Sequence, residues 1–125
     1  MMGKFEIKQT ATGFTFHLKA VNGEIIATSE VYSGLEACEN GIESVRKNAP
    51  IAALEDQTVE NFAEEKCPKF ELYLDKAGEH RFRLKAHNGQ KIAASEGYKN
   101  KESCENGIAS VRKNAPDAKV TKPDA

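Results

Sequence analysis

The sequence predicts an α+β protein built from two tandem β3-α-β units that share one antiparallel sheet, with both helices on one face. Three observations carry this. CENGIESVRKNAP at 38–50 returns as CENGIASVRKNAP at 104–116. The segments upstream of each copy alternate apolar and polar residues with period two. The repeated stretches themselves place apolar residues at helical spacing.

The repeat extends well beyond those stretches. Phe16–Pro50 aligns with Phe82–Pro116 without a gap and is identical at most positions. Lys4-Phe5-Glu6-Ile7 matches Lys69-Phe70-Glu71-Leu72 after one extra residue in the second copy's turn. Repeats of this kind mark units that cannot bury their apolar face alone. The expected division is repeat 1 at 4–59, a linker at 60–68 and repeat 2 at 69–122, within a single pseudo-symmetric domain spanning 1–125.

Each element follows in order. Phe5 and Ile7 share one face of a first strand, with Lys4, Glu6 and Lys8 on the other. Phe14, Phe16, Leu18 and Ala20 share a face of the second, opposite Thr15, His17 and Lys19. Repeat 2 repeats this with Phe70, Leu72 and Leu74, then Phe82, Leu84 and Ala86. Such alternation means antiparallel strands covered on one side only. Asn22-Gly23 and Asn88-Gly89 read as two-residue type I′ hairpin turns. Third strands are expected near Ile25–Tyr32 and Lys91–Tyr98. Burying Ile26 and Ile92 there and continuing the alternation would bury Glu30 and Glu96, so a bulge is expected.

The helices come next. Ser33-Gly34-Leu35-Glu36 reads as a capping box, and Asn100 as the cap of the second helix. Leu35, Cys38, Ile42, Val45 and Ala49 form an apolar stripe, as do Cys104, Ile108, Val111 and Ala115. Arg46-Lys47 and Arg112-Lys113 favour the last turn. Asn48 and Asn114 suit a left-handed C-terminal position before Pro50 and Pro116. Gly41 and Gly107, beside the stripes, cost about 1 kcal/mol each relative to Ala. Close approach of another backbone is the expected compensation. Short extended pieces follow at Ala52–Val59 and Ala118–Lys122, and Asn61–Lys66 is an acidic linker closed by Cys67-Pro68.

Composition excludes some roles. A formal charge of -1 over 125 residues gives no global field toward nucleic acid or an acidic membrane. No apolar run approaches the roughly 20 residues that span a bilayer. The N-terminal MMGKFEIKQT enters strand-like alternation at once, which reads as no signal peptide. With three cysteines and no CxxC pair, a cytoplasmic protein is expected.

Three motif groups together resemble the uncharacterised YegP-like family. They are F-x-F-x-L-K-A-x-N-G at Phe14–Gly23, S-E-x-Y at Ser29–Tyr32 and Ser95–Tyr98, and N-G-I-x-S-V-[RK]-x-N at Asn40–Asn48 and Asn106–Asn114. His80 stands where the first Phe would in the second copy, and Lys101 where the first helix has Leu35. The resemblance implies that the C-terminal strands are exchanged. Ala52–Val59 then pairs with the second half and Ala118–Lys122 with the first. It also implies a bacterial protein, and it brings no established activity.

No phosphate loop, dinucleotide fingerprint, nucleophile elbow or zinc spacing is present. No catalytic residue, metal or cofactor is therefore expected. Cys38 and Cys104 fall on the apolar stripes and read as core; Cys67 reads as an exposed thiol. Ser29, Glu30, Tyr32, Ser95, Glu96 and Tyr98 are polar and duplicated. They read either as a duplicated binding site or as partners for backbone groups at the strand–helix corner, and the structural reading is preferred. The open sheet face is the candidate binding surface. By alternation it gathers Lys4, Lys8, His17, Lys19, Lys69, Tyr73, Arg81, Arg83 and Lys85 against Glu6 and Glu71. Lys19, Tyr73, Arg81, Arg83 and Lys85 are its expected contacts. The preferred reading is a monomeric, non-enzymatic binding or interaction module, open to an unknown protein partner. The alternative is a binder of single-stranded nucleic acid or another polyanion through that face.

Overall fold

The computed structural model describes residues 3–123. Repeat 1 forms β1 (Lys4–Gln9), β2 (Phe14–Lys19), β3 (Ile25–Thr28), α1 (Leu35–Asn48) and β4 (Ala53–Asp56). Repeat 2 forms β5 (Lys69–Leu74), β6 (His80–Lys85), β7 (Lys91–Ala94), α2 (Lys101–Asn114), a 3₁₀ turn (Ala115–Asp117) and β8 (Lys119–Thr121).

All eight strands join one sheet in the order β4-β5-β6-β7-β3-β2-β1-β8. The exchange is real: β4 pairs with β5 of the other repeat, and β8 with β1. These two outer pairings are parallel, so the sheet is mixed rather than wholly antiparallel. Parallel neighbours cannot be joined by a tight hairpin, so β4 and β5 are connected by a longer stretch, residues 57–68. At the centre, β3 meets β7 antiparallel through Thr28 and Ala94.

Alternation fills one face. Phe5, Ile7, Phe16, Leu18, Ile42 and Val45 are buried, as are Phe70, Leu72, Phe82, Leu84, Ile108 and Val111. Each such side chain contributes about 1.5–3 kcal/mol of transfer free energy. Phe5 meets Phe16 edge-on with centroids 5.6 Å apart, and Phe70 meets Phe82 at 5.8 Å. α1 packs over β2 and β7, and α2 over β6, β3 and β5, so each helix bridges both repeats. The arginines of the last helical turns do more than offset a dipole. Arg46 Nη2 donates to Ala118 O at 2.6 Å, on the chain leading into β8, and Arg112 Nη1 donates to Ala49 O at 3.3 Å.

Several local expectations are corrected. The hairpin loops have three residues, Val21–Gly23 and His87–Gly89. Gly23 N donates to Ala20 O and Ala20 N to Glu24 O, with left-handed backbone only at the glycine (φ 86°). That is a type I turn closed by a glycine bulge, not type I′. The suspected third-strand bulge is present. Leu18 faces Ala27 while Lys19 faces Ile25, which leaves Ile26 as the extra residue. Ile26 and Ala27 are thus both buried, and Glu30 is exposed. The strand stops at Thr28, and Tyr32 re-pairs with Phe14. No capping box forms at Ser33: Gly34 is the N-cap and accepts no side chain's help. Asn100, its counterpart, does cap α2, accepting from Ser103 N at 2.8 Å. Asn48 and Asn114 are right-handed and buried, each donating back to the carbonyl four residues earlier, Ser44 and Ser110.

Gly41 and Gly107 make room for a side chain, not for a backbone. A Cβ on Gly41 would lie 2.8 Å from Cζ of Tyr32, and one on Gly107 would lie 3.0 Å from Cζ of Tyr98. Each tyrosine stacks on the neighbouring core ring, Phe16 or Phe82.

The linker is a crossover. β4 and β5 are parallel neighbours, so the chain must return across a sheet face, and it crosses the face away from the helices. There it closes over a buried charge cluster. Glu55 is 2% exposed, Lys69 6% and Glu71 4%. Lys69 Nζ lies 2.7 Å from Glu55 Oε1 and 3.2 Å from Glu71 Oε2. Glu55 also accepts from Glu65 N at 2.8 Å and Gln57 Nε2 at 2.6 Å. Burial alone would raise the Glu55 carboxyl, but the bonds from Lys69, Gln57 and the Glu65 amide outweigh it and hold it at about 2.

Three outcomes are expected. Severing the chain between Glu60 and Pro68 removes each half's exchanged strand. Purified halves should be unfolded or homodimeric, and a stable folded monomeric half would contradict the shared sheet. Gly41→Ala or Gly107→Ala should destabilise the protein in a denaturant melt. Overpacking of about 1–3 kcal/mol exceeds the roughly 1 kcal/mol that Ala contributes by propensity. The penalty should shrink in a Tyr32→Leu or Tyr98→Leu background; stabilisation by either alanine alone would show that the ring yields freely. Glu55→Gln should cost about 3 kcal/mol, the low end for breaking a buried ion pair, because Lys69 keeps Glu71. The depressed Glu55 carboxyl stabilises the fold above its ordinary value of 4.5, and that contribution fades as pH falls toward 2. An acid titration of stability should therefore be steeper over that window for wild type than for Glu55→Gln, and equal slopes would place the acid sensitivity elsewhere.

Candidate functional site: the open face of the sheet

The strands place all five expected contacts on the face opposite the helices. In the β5–β6 ladder Tyr73 faces Arg81, Glu71 faces Arg83 and Lys69 faces Lys85. In the β1–β2 ladder Lys4 faces Lys19 and Glu6 faces His17. Tyr73, Arg81, Arg83 and Lys85 therefore come together. Lys19 does not join them, because β3 and β7 intervene. Three strand spacings separate β2 from β6, roughly 14 Å.

These cations already have partners. Lys19 pairs with Glu6 at 2.9 Å, Arg81 with Asp75 at 2.6 Å, and Arg83 with Glu71 at 2.5 Å. Lys85 also reaches Glu71, at 3.4 Å. The Arg83 guanidinium lies over the Tyr73 ring, 4.3 Å from its centroid, so that ring face is occupied. The carboxylates respond accordingly. Lys19 holds Glu6 below the ordinary carboxylate range, and Arg81 does the same for Asp75. For Glu71, burial pushes up, but bonds from Arg83 and Lys69 push further down. Burial lowers His17, whose Nδ1 lies 2.9 Å from Thr28 Oγ1.

Sequence alternation missed the counter-charges Glu55 and Asp75. Glu55 was beyond reach, since its place on this face depends on the parallel register of β4 against β5. A repeat-level signal does exist: Glu55 aligns with Thr121. In the structure Thr121 faces Glu6 just as Glu55 faces Glu71. The two halves of the open face thus differ. On repeat 2 the crossover closes over Glu55, Lys69 and Glu71, while Arg81, Arg83 and Lys85 stay part-exposed beside their carboxylates. On repeat 1, Lys4 and Lys119 are exposed, and the Lys8 side chain is 58% exposed. A groove of about 430 Å³ runs there, lined by Lys4, Glu6, Lys8, Gln9, Thr121 and Lys122.

The duplicated polar residues do not converge. Ser29 and Ser95 are buried, and each hydroxyl accepts a backbone amide, from Phe16 and Phe82, at 2.9 Å. Each then donates to the next carbonyl, that of Glu30 or Glu96. Both glutamates are exposed. Tyr32 and Tyr98 fill the notches at Gly41 and Gly107, and burial raises their hydroxyls. Cys38 and Cys104 are buried, which pushes both thiols up to about 11, while Cys67 is half-buried. Among the described residues no three His, Cys, Asp or Glu side chains gather as metal ligands, and no helix is long and apolar enough to cross a membrane. Lys101, where the first helix has Leu35, pairs with Asp56 of the other repeat.

A family model described as a domain of unknown function, DUF1508, matches residues 10–56 and 75–121, once per repeat. A UPF0339 protein of Stutzerimonas stutzeri is 40% identical over 123 residues, covering 98% of this chain and 97% of its own. A UPF0339 protein of Methanosarcina acetivorans is 60% identical over 52 residues, which is 42% of this chain but 90% of that relative. The solution NMR structure of the protein of unknown function yegP from E. coli superposes with a TM-score of 0.79 at 37% identity, covering 98% of this chain and 93% of that one. Two matched segments, full-length relatives and a shared fold have one reading: the chain belongs to the YegP-like UPF0339 family, in its duplicated DUF1508 form.

Proposed function

We propose that this protein is a small, monomeric interaction module that works by binding a protein partner rather than by catalysis. Its contact surface is the half of the open sheet face built on β2, β1 and β8. The observation that carries this reading is the asymmetry of that face. Repeat 2 buries Lys69 between Glu55 and Glu71 and pairs Arg81, Arg83 and Lys85 with Asp75 and Glu71. Repeat 1 leaves Lys4, Lys8 and Lys119 exposed, Lys4 and Lys8 lining a shallow groove. Supporting it, the duplicated serines and tyrosines are engaged with backbone or core, and burial keeps both helix thiols protonated. A polyanion on the expected contacts would have to displace Glu71 and Asp75 from Arg83 and Arg81, and would find Tyr73 under a guanidinium. Base stacking needs a free ring face, so the polyanion reading ranks second.

Capture from a nuclease-treated bacterial lysate tests this. Immobilised wild type should retain proteins that the folded double variant Lys4→Glu/Lys119→Glu does not. Identical retention by both would remove the open face from the function. Retention that vanishes with nuclease treatment alone would favour the polyanion.

A further inference from the structure

Resting on the interaction reading above, we infer that the open half of the sheet on repeat 1 is a seat for an extended acidic segment of a partner protein. The geometry points to its chemistry because the molecule contains a filled copy of the same seat. In repeat 2, Lys69 lies between two carboxylates, Glu55 and Glu71, and the acidic crossover closes over them. Repeat 1 keeps the framework of that site. Lys4 takes the place of Lys69, Glu6 that of Glu71, and Lys19 that of Lys85.

Two changes empty the copy. Thr121 replaces Glu55, so Lys4 loses the carboxylate that its counterpart holds at 2.7 Å. Lys119, facing Lys4, replaces Ala53, facing Lys69. The outcome is a corner where Lys8 and Lys19 share the single carboxylate of Glu6, while Lys4 and Lys119, side by side in the ladder, have no ion pair among the described residues. Among the described residues no segment lies over it: Lys4 and Lys119 are exposed, against 6% for Lys69. An incoming carboxylate would stand where the Glu55 carboxylate stands in the filled copy. The filled copy also specifies the form of the ligand. There a backbone amide of the crossover, at Glu65, donates to the Glu55 carboxylate, and the segment carries Glu60, Glu64 and Glu65. An extended peptide that brings a carboxylate matches the charge of the lysines along this groove and the Glu55 position of the filled copy.

The probe is a synthetic peptide with the sequence of residues 55–66, EDQTVENFAEEK, titrated into the full-length ¹⁵N-labelled protein at low salt. Saturable shifts are expected at the amides of Lys4, Glu6, Lys8, Lys19 and Thr121. Replacing the peptide's acidic residues by their amides should weaken binding by about tenfold or more, as should raising the salt. Thr121→Glu gives Lys4 an internal partner. It should keep the fold, as its unchanged spectrum elsewhere will show, and weaken the peptide by a similar factor. Absence of saturable shifts at millimolar peptide, or shifts confined to other surfaces, would overturn the acidic-segment assignment even where the lysate experiment succeeds. So would binding of the amide peptide equal to that of the acidic one. A single-stranded oligothymidylate that binds the same amides more tightly than the peptide would transfer the seat to a phosphate polyanion.

Discussion

The exchange of the last strands is the constraint on which the rest of this structure depends. One β3-α-β unit offers three short strands and a single helix, too little apolar surface to stand alone at this size. By passing β4 to the other repeat's first strand, and receiving β8 in return, each unit completes a four-stranded half. Each helix then lies over strands of both repeats, and Arg46 and Arg112 reach across to carbonyls of the other unit. The sheet is therefore shared between the repeats although the sequence is duplicated.

Exchange also creates the asymmetry that makes the open face interesting. Because β4 and β5 are parallel, the chain joining them must cross one face of the sheet. It takes the face without helices, and it buries ionised groups by doing so. A buried charge is costly unless it is paired and bonded, which explains why Glu55, Lys69 and Glu71 form a closed set. The equivalent corner on repeat 1 lacks a described segment above it, and Thr121 and Lys119 stand there in place of Glu55 and Ala53.

Much of the fold was legible. Period-two alternation identified the strands and their buried face, since a sheet covered on one side admits no other placement of Phe5, Phe16, Phe70 and Phe82. The helices were legible from their stripes. The bulge at Ile26 was legible as a conflict, because burying the isoleucine and exposing Glu30 cannot both hold in an unbroken strand. The candidate face was legible as a set of residues but not as an electrostatic surface. Glu71 reads on that face from alternation, but Arg81 reads as a free cation until Asp75 is seen beside it. The tyrosines read as polar candidates until Gly41 and Gly107 show the notches they fill.

The sequence by itself determined the repeat, the strand and helix order, and which side chains face the core. These follow from local periodicity and from identity between two copies, and each needs only neighbours along the chain. Tertiary structure decided the parallel outer pairings, the path of the crossover, and the pairing of every charge on the open face. Those depend on which distant strand lies alongside which, in what register. A carboxylate at Glu55 is an ordinary surface acid in the sequence. It becomes a buried partner of Lys69 only when β4 settles against β5 and the crossover closes over both.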